Sequence, residues 1–170
     1  MLQRVKGVLY PTLFIASTLY GASCFIFDRY WFGCVNGASM KPTLNSEWGL
    51  TGPASSRKSS SISRDWILIK RVKDHKNELD INDIVVFVSP EEPRTTAIKR
   101  VKALPGQVYQ PSRRDTDGHA ASGKYIPKGH VWVEGDNAVS SVDSNMYGPI
   151  PMGLIRGKAV CVIYPKFKWL

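Results

Sequence analysis

The chain has 170 residues, 43% of them hydrophobic, which is enough for one compact domain with its own core and excludes two full-sized domains. Its 23 lysines and arginines against 14 acids leave a net charge of +9, which favours an anionic neighbour, whether nucleic acid or an acidic lipid surface, or is simply the solvent face of a basic compartment. The three cysteines, Cys24, Cys34 and Cys161, form no CxxC pair, so neither a disulfide framework nor a zinc site is indicated.

Val8 to Phe27 is a run of 20 residues without a charge, and at about 1.5 Å per residue it matches the bilayer hydrocarbon. It predicts a single membrane-spanning helix. Arg4 and Lys6 precede the run, Asp28 and Arg29 cancel behind it, and Tyr30, Trp31 and Phe32 follow as interfacial anchors. That charge bias puts the N-terminus on the inner side and the rest of the chain outside. Three other readings compete. Gly21-Ala22-Ser23 resembles a cleavage site for a secretory signal, the lack of acids before Asp28 suits a mitochondrial presequence, and Thr12, Ser17, Thr18 and Ser23 dilute the run enough for a buried core helix.

After the turn "NGASMKPTL" (Asn36 to Leu44), residues Asn45 to Arg64 are too rich in serine, glycine and charge to build core and read as a surface loop. Short β-branched and aromatic runs then predict strands at Asp65–Val72, Asp83–Ser89, Thr95–Leu104, His130–Glu134 and Leu154–Tyr164. A second polar loop is expected from Gln110 to Gly123. With Gly/Pro/Asn/Asp turns between the strands and no convincing amphipathic helix after residue 32, the pattern predicts a mainly antiparallel β domain over residues 33–170, preceded by an anchor over residues 1–32.

Three constellations can carry chemistry. Ser39 follows Gly37 and Ala38, small residues that leave room for a second backbone and free amide N–H groups for an oxyanion hole, and Met40 and Pro42 offer apolar surface beside it. A serine nucleophile needs a base, yet His75, His119 and His130 all sit in polar turns or at a strand start. Lysine is the alternative, provided desolvation lowers its pKa. In "TAIKRVKAL" the strand period places Lys99 with Ala97 and Val101 on one face, while Arg100 shares the other with Lys102. Read alone, Lys99 serves equally well as a solvated lysine on a basic edge strand. The tract Glu134 to Pro149, "EGDNAVSSVDSNMYGP", supplies hydroxyls (Ser140, Ser141, Ser144) that can orient a neutral lysine and carboxylates (Asp136, Asp143) that can fix the loop; as plain structure it is a long polar turn. It lacks the regular acid spacing of a calcium loop.

The pieces "SMKPTL", "DIVVF", "IKRVKALPGQ" and "GDNAVSSVDSNMYGP", in this order, resemble the type I signal peptidase family of serine-lysine proteases. The resemblance implies an antiparallel β catalytic core with an apolar, membrane-facing rim and a Ser-Lys dyad needing no metal or cofactor. Carried over residue by residue, it implies Ser39 as nucleophile, Lys99 as general base, Ser141 as the hydroxyl orienting the lysine, and Asp143 and Asp136 as loop supports. The backbone around Gly37, Ala38 and Met40 would form the oxyanion and substrate groove. Two positions depart from the pattern: Gly37 stands where many bacterial members carry a hydroxyl, and Asn145 stands where the family has an arginine facing Asp143. A lysine base resembles the bacterial and organellar types, and the small size, the "NGASM" box and especially Asn145 resemble the mitochondrial inner membrane branch. That branch implies a single-pass protein of the inner membrane facing the intermembrane space, precursors with sorting presequences as substrates, and a heteromeric complex with a similar catalytic subunit. The competing class is a non-catalytic, membrane-tethered basic β module that binds a partner subunit or anionic lipid. No basic and aromatic motif points to nucleic acid.

Overall fold

The computed structural model describes residues 15–21, 23, 28–46, 64–111 and 122–170. Ten strands follow in chain order: β1 Tyr30–Cys34, β2 Trp66–Arg71, β3 Ile84–Val88, β4 Thr96–Ala103, β5 Val108–Tyr109, β6 Lys124–Tyr125, β7 His130–Glu134, β8 Ile150–Pro151, β9 Ile155–Tyr164 and β10 Lys168–Trp169. All the pairings are antiparallel. β5 and β6 form a separate hairpin, and the rest make one eight-stranded sheet ordered β1-β2-β9-β3-β4-β7-β8, with β10 also on β9. The five strands expected from alternation are β2, β3, β4, β7 and β9, each within a residue or two of its expected ends.

Alternation did not reveal β1 or the two-residue strands β5, β6, β8 and β10, and β1 is the longest of these. Tyr30, Trp31 and Phe32, expected at a membrane interface, pair through Lys70, Ile69 and Leu68 of β2, so the sheet takes in the last residues of the stretch assigned to the anchor. Residues 15–21, 23, 28 and 29 are helical. No helix among the described residues is long and apolar enough to cross a membrane; most of the expected span, and nearly all of the expected loops at 45–64 and 110–123, lie outside the described residues.

The sheet separates two cores because its strands alternate. Val85 and Phe87 of β3 point into a cluster with Val101, Val133 and Ile155. Ile84 of the same strand points the opposite way, into a cluster with Ile67 and Ile69 of β2 and with Met40 and Leu44 from the turn after β1. Leu44 and Phe87 are fully buried, and burial of each such side chain contributes about 1.5–3 kcal/mol. The turn carrying Ser39 is thus bolted to the second core by its own neighbours.

Candidate active site

Ser39 sits in a turn whose shape is set by two asparagines. Asn45, buried and with a positive φ of 51°, donates its amide to the carbonyls of Val35 and Gly37 at 2.9 and 3.0 Å. Asn45 and Asp65 also exchange reciprocal backbone-to-side-chain bonds of 2.8 Å, fastening the turn to the start of β2. From the other side the Asn137 amide donates to the Ala38 carbonyl at 3.0 Å, and the Asn137 N–H donates to the Ser39 carbonyl at 2.9 Å. Gly37 has φ +93°, a region that strains any residue with a Cβ. Hence glycine, rather than a hydroxyl-bearing residue, fits this turn.

Lys99 Nζ lies 2.9 Å from Ser39 Oγ and donates to the Ile98 carbonyl at 3.1 Å. The lysine is only 5% exposed, on the face of β4 shared with buried Val101 and Ala103, as the alternation predicts. Burial disfavours the ammonium and lowers its pKa below the usual lysine value; the negative charge of Asp143 acts in the opposite direction.

The third constellation folds as a 3-10 turn, Ala138–Ser140, followed by a short helix, Ser144–Tyr147, capped by Asp143. Ser141 Oγ donates to Asp143 Oδ2 at 2.6 Å, and the Gly135 N–H donates to the same oxygen at 2.9 Å. Burial opposes ionisation of Asp143. Hydrogen bonds from Gly135, Ser141 and Asn145 outweigh that effect and hold its carboxyl below the usual range. A Cβ at Gly135 would collide with the Ser141 side chain and come within 2.6 Å of the Ser39 carbonyl oxygen. Ser141 and the nucleophile turn therefore both close on the space that a side chain at this one glycine would need.

Asn145 takes on a different task from the arginine of the family pattern. Its amide donates to Asp143 Oδ1 at 2.8 Å and to Glu134 Oε1 at 3.0 Å, bridging two buried carboxylates without a charge of its own. Glu134 accepts further bonds from Trp132 Nε1 and Tyr109 OH.

Asp136 stands apart from the serine-lysine pair and forms a two-pronged ion pair with Arg100, at 2.8 and 2.6 Å. Burial resists its charge, but Arg100 and Thr43 hold its pKa below the usual value. Arg100 also reaches Thr43 Oγ1 at 3.3 Å, so Asp136 supports the nucleophile turn through that arginine. Met40, expected beside the substrate, is instead 2% exposed and packs into the second core, because the turn directs its side chain inward. His75 and His130 bond to the carbonyls of Ile155 and Lys128, away from the groove that holds Ser39; His119 lies outside the described residues.

That groove encloses about 660 Å³ and runs from Ser39 and Lys99 along Cys34, Ile67, Ile69 and Ile98 to Trp31 and two arginines. Roles for Asn45, Asn137, Gly135 and Glu134 were not foreseen; the "EGDN" and "TLN" segments that flank the motifs were the available signal.

An antiparallel β domain with a serine and a buried lysine in one groove defines a class of hydrolase, and residues 6–110 and 108–164 match the model of the family described as signal peptidase, peptidase S26. The chain belongs to this family. It is 38% identical over 138 residues to mitochondrial inner membrane protease subunit 2 of Saccharomyces cerevisiae, covering 79% of this chain and 68% of that protein. Against subunit 2 of Mus musculus the identity is 37%, covering 79% and 67%, and against subunit 1 of Homo sapiens 34%, covering 95% and 88%. A crystal structure of a signal peptidase I from Enterococcus faecalis V583 aligns with 48% of this chain and 97% of its own at 18% identity and a TM-score of 0.39. Membership makes the chain a signal-peptidase-like protease, with the mitochondrial inner membrane proteases among its relatives.

Proposed function

We propose that the protein is a membrane-bound serine endopeptidase that removes sorting presequences from precursors delivered to the mitochondrial intermembrane space, with Ser39 as nucleophile and Lys99 as general base. The observation that carries this reading is the 2.9 Å approach of a buried lysine to the serine hydroxyl. In its neutral form, favoured by burial, Lys99 accepts the Ser39 proton while Oγ bonds to the scissile carbonyl carbon. Collapse of the tetrahedral intermediate breaks the C–N bond, and the Lys99 ammonium returns the proton to the leaving amine. A water deprotonated by Lys99 then hydrolyses the acyl-enzyme. Ser141 and Asp143 orient the lysine, and backbone amides of the turn, including that of Ser39, hold the developing oxyanion.

The relatives named as inner membrane protease subunits support this setting. A span over residues 8–27 anchors the chain in the inner membrane with the β domain in the intermembrane space, where it works in a complex with a related catalytic subunit. The test is processing of an intermediate-length precursor by the full chain, with and without that subunit, followed by sequencing of the new N-terminus. Ser39→Ala and Lys99→Ala are each expected to abolish cleavage while circular dichroism shows an intact β domain. Normal processing by either variant removes that residue from the mechanism.

A further inference from the structure

The groove changes character along its length. Near Ser39 its walls combine Val35, Ile67 and Ile98 with Asn36 and Lys99, whereas its far end carries the side chains of Arg71 and Arg156, and its lining contains no acid among the described residues. Both arginines are placed there by the sheet. Arg71 ends β2 on the face that holds Ile67 and Ile69, with its guanidinium 5.6 Å from the centre of the Trp31 ring and its Nε bonded to the Asp28 carbonyl. Arg156 lies at an irregularity in the β3–β9 ladder: Val86 pairs with Gly157 and Phe87 with Ile155, so the residue between them has no partner on β3. Such a bulge re-aims a side chain; here Ile155 stays in the first core while Arg156 turns into the groove.

The acids nearest this end are each paired with a lysine: Asp28 with Lys73, Asp83 with Lys158 and Glu78 with Lys70. The Asp28 carboxylate also feels the charge of Arg71, which offsets part of it. Arg156 itself has no ion pair among the described residues. Two arginines at one end of a cleft without acids raise the local concentration of an anionic group and give it charged hydrogen-bond donors.

From this geometry we propose, building on the endopeptidase reading, that Arg71 and Arg156 are specificity-determining residues that bind an acidic side chain of the substrate several residues from the scissile bond. The end of the groove beside Ser39 accepts the residues at the cut. The arginine end selects among precursors whose residues at the cut are alike.

The test uses an alanine-rich peptide spanning the cleavage site, scanned with Asp and with Lys at each position, and the full chain in neutral detergent. Cleavage by the wild type is read as the ratio of kcat/KM for Asp over Lys, and binding to Ser39→Ala by fluorescence anisotropy as the matching ratio of affinities. At one position remote from the cut the Asp peptide is expected to win by about fivefold or more, the scale of a partly exposed charged contact, with the advantage shrinking as salt rises. Arg156→Glu is expected to invert the ratio at that position, and Arg156→Gln to bring it close to one. Cleavage with a ratio near one at every position overturns this inference and leaves the endopeptidase reading standing. A preference that Arg156→Glu, Arg156→Gln and Arg71→Gln all leave untouched overturns it too. Peptides that are neither cleaved nor bound count against the groove as a substrate site, and both readings fall.

Discussion

A lysine at 2.9 Å from a hydroxyl takes a proton from it only after losing its own. Burial lowers the Lys99 pKa below 10.5 in the folded chain, while the unfolded chain keeps a lysine near that value. Between the two pKa values the unfolded state therefore binds more protons, and stability rises with pH across that window. Below the folded pKa the full cost of charging a buried amine is present. Replacing Lys99 by methionine removes this cost and keeps the volume, so Lys99→Met is expected to raise Tm near neutral pH by about 3 °C or more. That advantage should shrink as pH approaches 10.5; a melting series across pH checks it. The same titration governs turnover: the kcat/KM of the wild type should rise along one ascending limb whose midpoint lies below 10.5. A profile that stays flat while the peptide itself remains uncharged would remove Lys99 as the base.

The elements around this pair act as clamps, and their effects can be separated from those of the core. Asn137 makes two contacts with the nucleophile turn, one through its backbone and one through its amide. Asn137→Ala keeps the first and loses the second, so it is expected to lower kcat by about tenfold with little change in Tm, since modest misplacement of a reacting group is costly to rate. Rescue by Asn137→Gln would be partial at most, because the longer side chain overshoots the Ala38 carbonyl. Gly135→Ala is more severe. Its methyl would meet both the Ser39 carbonyl, at 2.6 Å, and the Ser141 side chain, displacing one or both from the site. Turnover should fall by about 100-fold or more, while circular dichroism still reports the β7 core.

How much of this was legible in the sequence follows from the kind of signal each part leaves. Alternation within one strand marks β2, β3, β4, β7 and β9, and it also puts Lys99 on the face of Ala97 and Val101, but only the packed sheet shows that this face is buried. β1 had no turn signal to separate it from the apolar run, and its aromatic residues suit either a sheet edge or a membrane interface. Ser39 and Lys99 were visible as motif residues. Their clamps were not: Asn137 meets Ala38 from 99 positions away and Arg100 meets Thr43 from 57, and a single sequence has no periodicity that records such pairs. Met40 was misplaced for the same reason, since only the packed second core shows which way its side chain turns.

At the scale of the whole molecule, the join between the apolar run and the sheet is very short. Trp31 lines the same groove as Ser39 and stands four positions after Phe27, the end of the apolar run. Four residues of chain reach at most about 14 Å, so a span over residues 8–27 would hold the groove against the membrane surface, where a precursor still tethered by its presequence presents its cleavage site. Placing ten Gly/Ser residues between Phe27 and Asp28 leaves β1 and the Asp28–Lys73 pair in place and lengthens the tether by about 17 Å root-mean-square. If proximity to the bilayer contributes to substrate capture, this variant should process a membrane-tethered precursor several-fold more slowly and cleave a soluble peptide at the wild-type rate. Resistance of both forms to alkaline extraction from membranes verifies that the anchor itself is retained. Equal slowing on the two substrates would instead locate the damage in the β domain, and equal wild-type rates would show that the short join has no part in capture.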